Sequence, residues 1–305
     1  SSDDLSALFD VLKKFKDYNE NHPVITANTI MTNPDFNKIK KGNYHSYHFE
    51  RLDNSIRRNY GNETLKIWYD GIKEKLFAPQ LHGREHIHAL QWLHELRNKN
   101  KELLLAFENG CSSIPGYFRQ GYQRKNLSAA LNISGLKGES SYHKKYITDS
   151  ANMFKEYFGY SSKSFIAPAY IWNKDHEKIL FNQGIKFIQG IGYQYCPVNE
   201  NKFAKEFHFT GQKNDYGQKY LVRNAFFEPS LKPYIDWVDL CLKRIKLAFM
   251  FHKPAIIGVH MLNFIGSLEE VNRSKNLSLL EELLTKIVNI WPDVEFINSA
   301  DILND

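Results

Sequence analysis

The sequence predicts an α/β fold, a distorted (β/α) barrel of parallel strands forming one domain over residues 1–305. Three observations lead there. Short, almost wholly apolar runs recur along the chain, as expected of strands buried on both faces. Between them lie amphipathic stretches with helical periodicity, and strand–helix alternation is the pattern of a parallel sheet. The length of 305 residues suits one barrel with its outer helices.

Leu5, Leu8, Phe9, Leu12 and Phe15 fall at three- and four-residue steps, a helix stripe opened by Ser2 or Asp3 as cap. Pro23 to Asn28 is short and β-branched, a strand. Asn33-Pro34-Asp35 breaks the pattern, and a tyrosine-rich excursion runs to about Tyr60. Leu65, Trp68, Ile72 and Leu76 mark a helix, and Phe77 to Leu81 is an extended run leading into His82-Gly83-Arg84-Glu85-His86. A helix spans Leu90 to Leu96, and Leu103 to Phe107 reads as a continuous apolar strand ending at Glu108. The weakly periodic stretch from Gly110 to Glu139 reads as a long loop. Tyr146 to Phe158 is a helix stopped by Gly159. Strands over 164–168 and 185–190 flank a helix over 174–181, and 220–224 is a further strand. The rest reads as a helix over 238–251, a strand over 255–260, a helix over 277–291 and a closing strand from Val294 to Ile297.

Composition narrows the function. The hydrophobic fraction of 42% and charged fraction of 24% are ordinary for a globular chain and exclude disorder. The 40 basic and 34 acidic residues are interspersed, with no arginine-rich arm or zinc-finger spacing, so no nucleic-acid partner is expected. The apolar runs are too short to span a membrane. Three scattered cysteines build no disulfide framework, and no signal peptide is visible, which fits a cytoplasmic setting. An aromatic share of 14% favours a carbohydrate ligand.

In a parallel barrel, functional groups gather at the carboxyl ends of the strands. Those ends carry Asn28, His82 with His86, Glu108, Tyr170, Arg223 with Asn224, Glu228, and His260 with Asn263. Asn28, Tyr170, Asn224, Glu228 and Asn263 are placed as substrate-binding groups, and His260, Arg223 and Glu108 as catalytic ones. His82 and His86, four residues apart at a strand end, can converge on one divalent cation, and imidazole pairs suit zinc. The bland alternative is that both histidines merely bond a turn. The same run spells His-x-x-Glu-His, a zinc-peptidase signature, but that chemistry needs an unbroken helix, which Pro79 and Gly83 argue against. His260 ends a strand, and an imidazole there suits a general acid.

The His82-to-His86 run, Phe165-Ile166-Ala167-Pro168 and Ile257-Gly258-Val259-His260 together resemble the polysaccharide deacetylase family, the group with the nodulation-factor deacetylase homology domain. The resemblance implies a distorted (β/α) barrel and removal of acetyl groups from an acetylated glycan with a divalent metal, often zinc. His82 and His86 match that family's metal-binding histidines and His260 its general acid. Gly83 stands where the family has Ser or Thr, and no arginine precedes Pro168, so either Arg223 or Arg84 takes its part or the role is unfilled. The family's paired aspartates follow a strand, whereas Asp3-Asp4 opens a helix and fits a cap, so the missing first strand is expected upstream of this chain. Two other readings compete. A barrel glycoside hydrolase would use Glu108 and Glu228 as carboxylates, about 5 to 9.5 Å apart. A non-catalytic barrel would bind glycans through its aromatic residues.

Overall fold

Local capping fixes where the elements begin. A computed structural model describes residues 1–112, 127–199 and 202–302. Helix α1 (Ser2–Lys13) starts at Ser1, whose hydroxyl accepts the Asp4 N–H, so the cap lies one residue before the expected start. Strand β1 (Ile25–Thr29) follows, then a short antiparallel pair, β2 (Thr32–Pro34) and β3 (Phe49–Arg51), around helix α2 (Phe36–Lys41). Helix α3 (Leu52–Lys73) is interrupted at Gly61, whose φ of 79° lies outside helical space. Strand β4 (Phe77–Leu81) precedes the histidine run, and helix α4 (Ala89–Arg97) follows it.

The run Leu103 to Phe107 is not a strand. It lies within helix α5 (Lys101–Glu108), because the Asn100 side chain caps the Leu103 N–H and Leu105 faces solvent while Leu103 and Phe107 are buried. Glu108 is therefore the last residue of a helix. The expected loop from Gly110 to Glu139 falls partly on residues 113–126, which lie outside the described residues. Helix α6 (Glu139–Phe158) ends at Gly159 with a left-handed φ of 76°.

Strand β5 (Ser164–Ile166), helix α7 (Lys174–Asn182) and strand β6 (Phe187–Gly190) continue the alternation. A hairpin, β7 (Tyr193–Asn199) with β8 (Lys202–Phe207), then intervenes before strands β9 (Lys219–Val222) and β10 (Ala225–Phe226). Helix α8 (Trp237–Met250), strand β11 (Ile257–Gly258) and helix α9 (Glu270–Ile290) complete the elements. Val294 to Ile297 forms no ladder. It is tied instead by backbone bonds, with Tyr18 N donating to Val294 O and Phe296 N to the Asp17 carboxylate.

The principal sheet has the order β1-β4-β5-β6-β9, in register with chain order, and it is parallel. β10 and β11 pair parallel as well. The expected α/β fold with parallel strands is thus present. Two compact units compose the chain: residues 1–27, 56–79 and 221–305, and residues 28–55 and 80–220. The first has a core in which Leu5, Leu8, Phe9 and Leu12 of α1 meet Leu280, Leu283, Leu284 and Ile287 of α9. In the second, Leu81, Phe165 and Ile188 pack with Tyr146, Ile147 and Phe154 of α6. Among the described residues no helix is long and apolar enough to cross a membrane.

Candidate functional site

Two groups of the expected residues come together, one in each unit. In the unit containing residues 80–220, β4 ends at Leu81 and hands His82 to the sheet's carboxyl end. The His82 N–H donates to Thr29 O at 2.9 Å, and its Nδ1 lies 2.8 Å from Ile166 O. A carbonyl can only accept, so Nδ1 carries the hydrogen and Nε2 the lone pair. The His86 ring stands 4.9 Å from that of His82, centroid to centroid. His86 is exposed as a residue, yet the surrounding protein desolvates it enough to lower its pKa.

The residues between the histidines serve structure. Arg84 and Glu85 are 4% and 0% exposed and form a bidentate pair at 2.6 and 2.8 Å. The Arg84 guanidinium is enclosed by the rings of Tyr47, Phe49, Tyr142 and Tyr146, each 5.6 to 5.9 Å away. Arg84 also donates to Asp149, and Glu85 accepts from Tyr142. Neither is available as a catalytic arginine or a peptidase base. Gly83 has φ of 99°, and a Cβ there would meet the Tyr146 hydroxyl at 2.0 Å, so this position excludes Ser and Thr on both counts.

Around these lie Asn28 and Tyr170. Asn28, on β1, accepts from Gln189 Nε2 at 2.9 Å. Tyr170 follows β5 in a turn over Pro168–Tyr170, where it and Ala169 both hold left-handed backbone, at φ of 58° and 56°. Two successive non-glycine residues in that region are strained, a feature that concentrates at functional sites.

The other unit holds a histidine–carboxylate dyad. His260, just beyond β11, places Nδ1 2.6 Å from Glu228 Oε1. Glu228 Oε2 accepts from Asn263 Nδ2 at 2.8 Å, and Ser230 N in turn donates to Asn263 Oδ1. Glu228 is 6% exposed at its side chain and His260 67%. A buried acceptor thus fixes the ring while its far edge meets solvent. Asn263 is placed to hold Glu228 rather than to touch a substrate directly. Asn224 is likewise structural, for it donates to Pro254 O at 2.9 Å and accepts from Ile256 N at 2.7 Å. Arg223 is half-buried beside Gly258. Glu108 is surface-exposed and forms an ion pair with Lys40 at 2.6 Å.

One further cluster escaped the sequence reading. Ligand atoms of His88, Glu139 and His143 lie within 4.8 Å of one another, and among the described residues this is the group whose spacing could hold a metal ion. The tautomers oppose that use. His88 Nδ1 accepts the Gln91 N–H as the cap of α4, so its Nε2 carries the hydrogen and donates to Asn132 O and Glu139. His176 Nδ1 accepts the Asn173 N–H in the capping box of α7, so its Nε2 donates to His143 Nδ1 at 3.1 Å. His143 Nε2 then carries its ring's hydrogen, and among the described residues that buried atom has no hydrogen-bond partner. Burial, reinforced by His88, pulls His143 down to about 4, and burial lowers His176 as well. Burial works to raise Glu139, but bonds from His88 and Ser134 outweigh it and bring the group to about 2.

The model of glycosyl hydrolase family 57 matches residues 28–196, more than half of the chain. The chain belongs to glycosyl hydrolase family 57. No curated protein matches it. Family 57 has a (β/α)7 barrel-like fold, in agreement with the distorted parallel barrel expected from the strand pattern. Membership corrects the deacetylase resemblance: the family cleaves glycosidic bonds, and neither an acetyl-removing esterase activity nor an acetylated glycan substrate is supported. The histidine spacing and the Gly-Val-His strand end drew the comparison. Such short motifs at barrel strand ends are shared across unrelated chemistries. The broader expectation, a hydrolase acting on carbohydrate, stands.

Proposed function

We propose that this family 57 chain hydrolyses glycosidic bonds and that the His260–Glu228 dyad handles protons in that reaction. The family match over residues 28–196 carries the reading. The dyad lies outside the matched segment, so its role rests on this chain's own geometry. Within the segment, the carboxylates of Glu85 and Glu177 are buried and bonded, the latter to Trp172, Tyr220 and Asn214. Glu108 is tied to a surface lysine. Glu228 is instead a buried carboxylate turned toward a solvent-facing imidazole. In the step we envisage, His260 Nε2–H protonates the glycosidic oxygen as the C–O bond breaks. Water then adds at the anomeric carbon and returns a proton to the ring. The ring is an imidazolium before the first transfer and after the second and neutral between them, and Glu228 holds its Nδ1–H in both forms.

The test is reducing-sugar release from a polysaccharide panel by the wild-type protein, Glu228→Gln and His260→Asn. Loss of about 10²- to 10⁴-fold in kcat is expected of both variants. Wild-type turnover in His260→Asn removes the dyad from the reaction.

A divalent cation between His82 and His86 is a second reading, favoured by the His82 tautomer. A ring whose Nδ1–H bonds a carbonyl is oriented as metal-binding histidines are. Among the described residues no third His, Cys, Asp or Glu completes the pair, while zinc sites carry three or four protein ligands. Metal content of the purified protein and of His82→Ala, with activity before and after chelation, decides it. Hydrolysis through the His260–Glu228 dyad is expected to survive chelation.

A further inference from the structure

We infer that the β7–β8 hairpin is a platform on which a glycan strand lies, face to face with its aromatic rings. The inference rests on the carbohydrate-acting reading above and adds where the chain of sugars is held. The register places Tyr193 opposite Phe207, Tyr195 opposite Lys205 and Pro197 opposite Phe203. Directly opposed residues share a face, and so do residues two apart, so all six side chains line one side of the hairpin. The rings form a connected stripe. Tyr193 and Phe207 meet edge to face at 5.6 Å, Tyr195 and Phe203 at 6.5 Å, and Lys205 Nζ stands 5.6 Å over the Tyr195 ring. Tyr193 and Phe207 are 53% and 61% exposed.

Exposed aromatic surface is costly to leave in water and marks an interaction site. The stripe runs about 14 Å along the strand, which is four residues at 3.4 Å each, long enough for more than one sugar ring. Its opposite face is held rigidly. Gln194 is buried and donates to Trp172 O at 2.9 Å, His208 Nε2 lies 2.7 Å from Gln194 Oε1, and Ile171 bridges Tyr195. Those bonds join the hairpin to the turn after β5 that carries Tyr170, and only two residues separate the carboxyl end of β6 from the start of β7. The platform therefore continues from the ends of β5 and β6, where a barrel positions its substrate. Rigid rings presented with alternating polar edges suit the flat C–H faces of pyranoses. Lys205 adds a cation for hydroxyl or carboxylate oxygens.

The test is affinity electrophoresis of the full chain in gels containing soluble starch, carboxymethylcellulose or alginate, beside Tyr193→Ala/Phe207→Ala and the control Tyr18→Ala. Retardation of the wild type and control in at least one gel, lost in the double variant, is the expected result. On that polymer the double variant is expected to show KM raised about tenfold or more with kcat retained, since each ring contributes on the scale of an aromatic pair. On a short aryl glycoside it should match the wild type. Unchanged circular dichroism and Tm keep misfolding out of the comparison. Equal retardation of double variant and wild type overturns the inference, as does a dimer in sedimentation that the double variant dissociates. Retardation by the platform without any glycoside cleavage sinks the hydrolase reading and leaves the platform standing.

Discussion

At the scale of single residues, the run from His82 to His86 shows how far a motif can be trusted. Its spacing was legible, and the structure does bring the two rings together. What the letters did not reveal is that Arg84 and Glu85 are interior residues, because burial depends on partners far along the chain such as Tyr142 and Tyr146. The pair makes a sharp prediction. Replacing Glu85 by Ala leaves a guanidinium enclosed by four rings with only Asp149 as counter-charge, and breaking such a buried pair costs about 3–5 kcal/mol. Urea unfolding of Glu85→Ala should show that loss, and a variant as stable as the wild type contradicts the buried pairing. Glu228 was also legible as a strand-end carboxylate. Its coupling to His260 was not, since only folding brings residues 228 and 260 to hydrogen-bonding distance.

At the scale of elements, strands β1, β4, β5 and β6 could be read because their apolar runs are bounded by polar residues or proline. The run Leu103 to Phe107 misled for the same reason: a short apolar stretch fits a strand or a half-buried helix equally well. The deciding signal was Asn100, a cap placed just before the run. The β7–β8 hairpin went unread because Pro197 and exposed aromatic residues blur its alternation. Helix α7 begins on an imidazole lone pair, that of His176, and burial keeps this ring and the neighbouring His143 neutral. The unfolded chain takes up protons at histidines below about pH 6.5. Folded His143 resists until about 4, and burial holds His176 well below its ordinary value too. Stability should therefore fall as pH drops across the window from 6.5 to 4. Glu139, ordinarily near 4.5 and held at about 2, carries the loss further down. Melting curves taken across that range should show falling Tm in the wild type and a shallower slope in His143→Gln. A flat wild-type profile is incompatible with neutral buried histidines.

At the scale of the whole molecule, the boundaries of the family match and those of the folded units differ. The match ends at residue 196, whereas the unit that contains most of it continues to Tyr220. Residues past the match complete its interior: Tyr220 and Asn214 bond Glu177, and His208 stacks on Tyr220 at 3.8 Å and bonds Gln194. A fragment of residues 28–196 would leave Glu177 buried with Trp172 alone and Tyr193 without its strand partner. We expect it to melt without a cooperative transition by circular dichroism. A sharp two-state melt would show that the later residues are dispensable.

The other unit is assembled from three stretches of sequence, and helix α1 buries Leu8 and Leu12 against a helix that begins at Glu270. During synthesis at about 5–20 residues per second, the first helix emerges on the order of ten seconds to a minute before its partner. Its greasy stripe must wait through that interval, so nascent chains of this protein should be clients of ribosome-associated chaperones, and slowing translation of the codons between the two helices should lengthen their dependence.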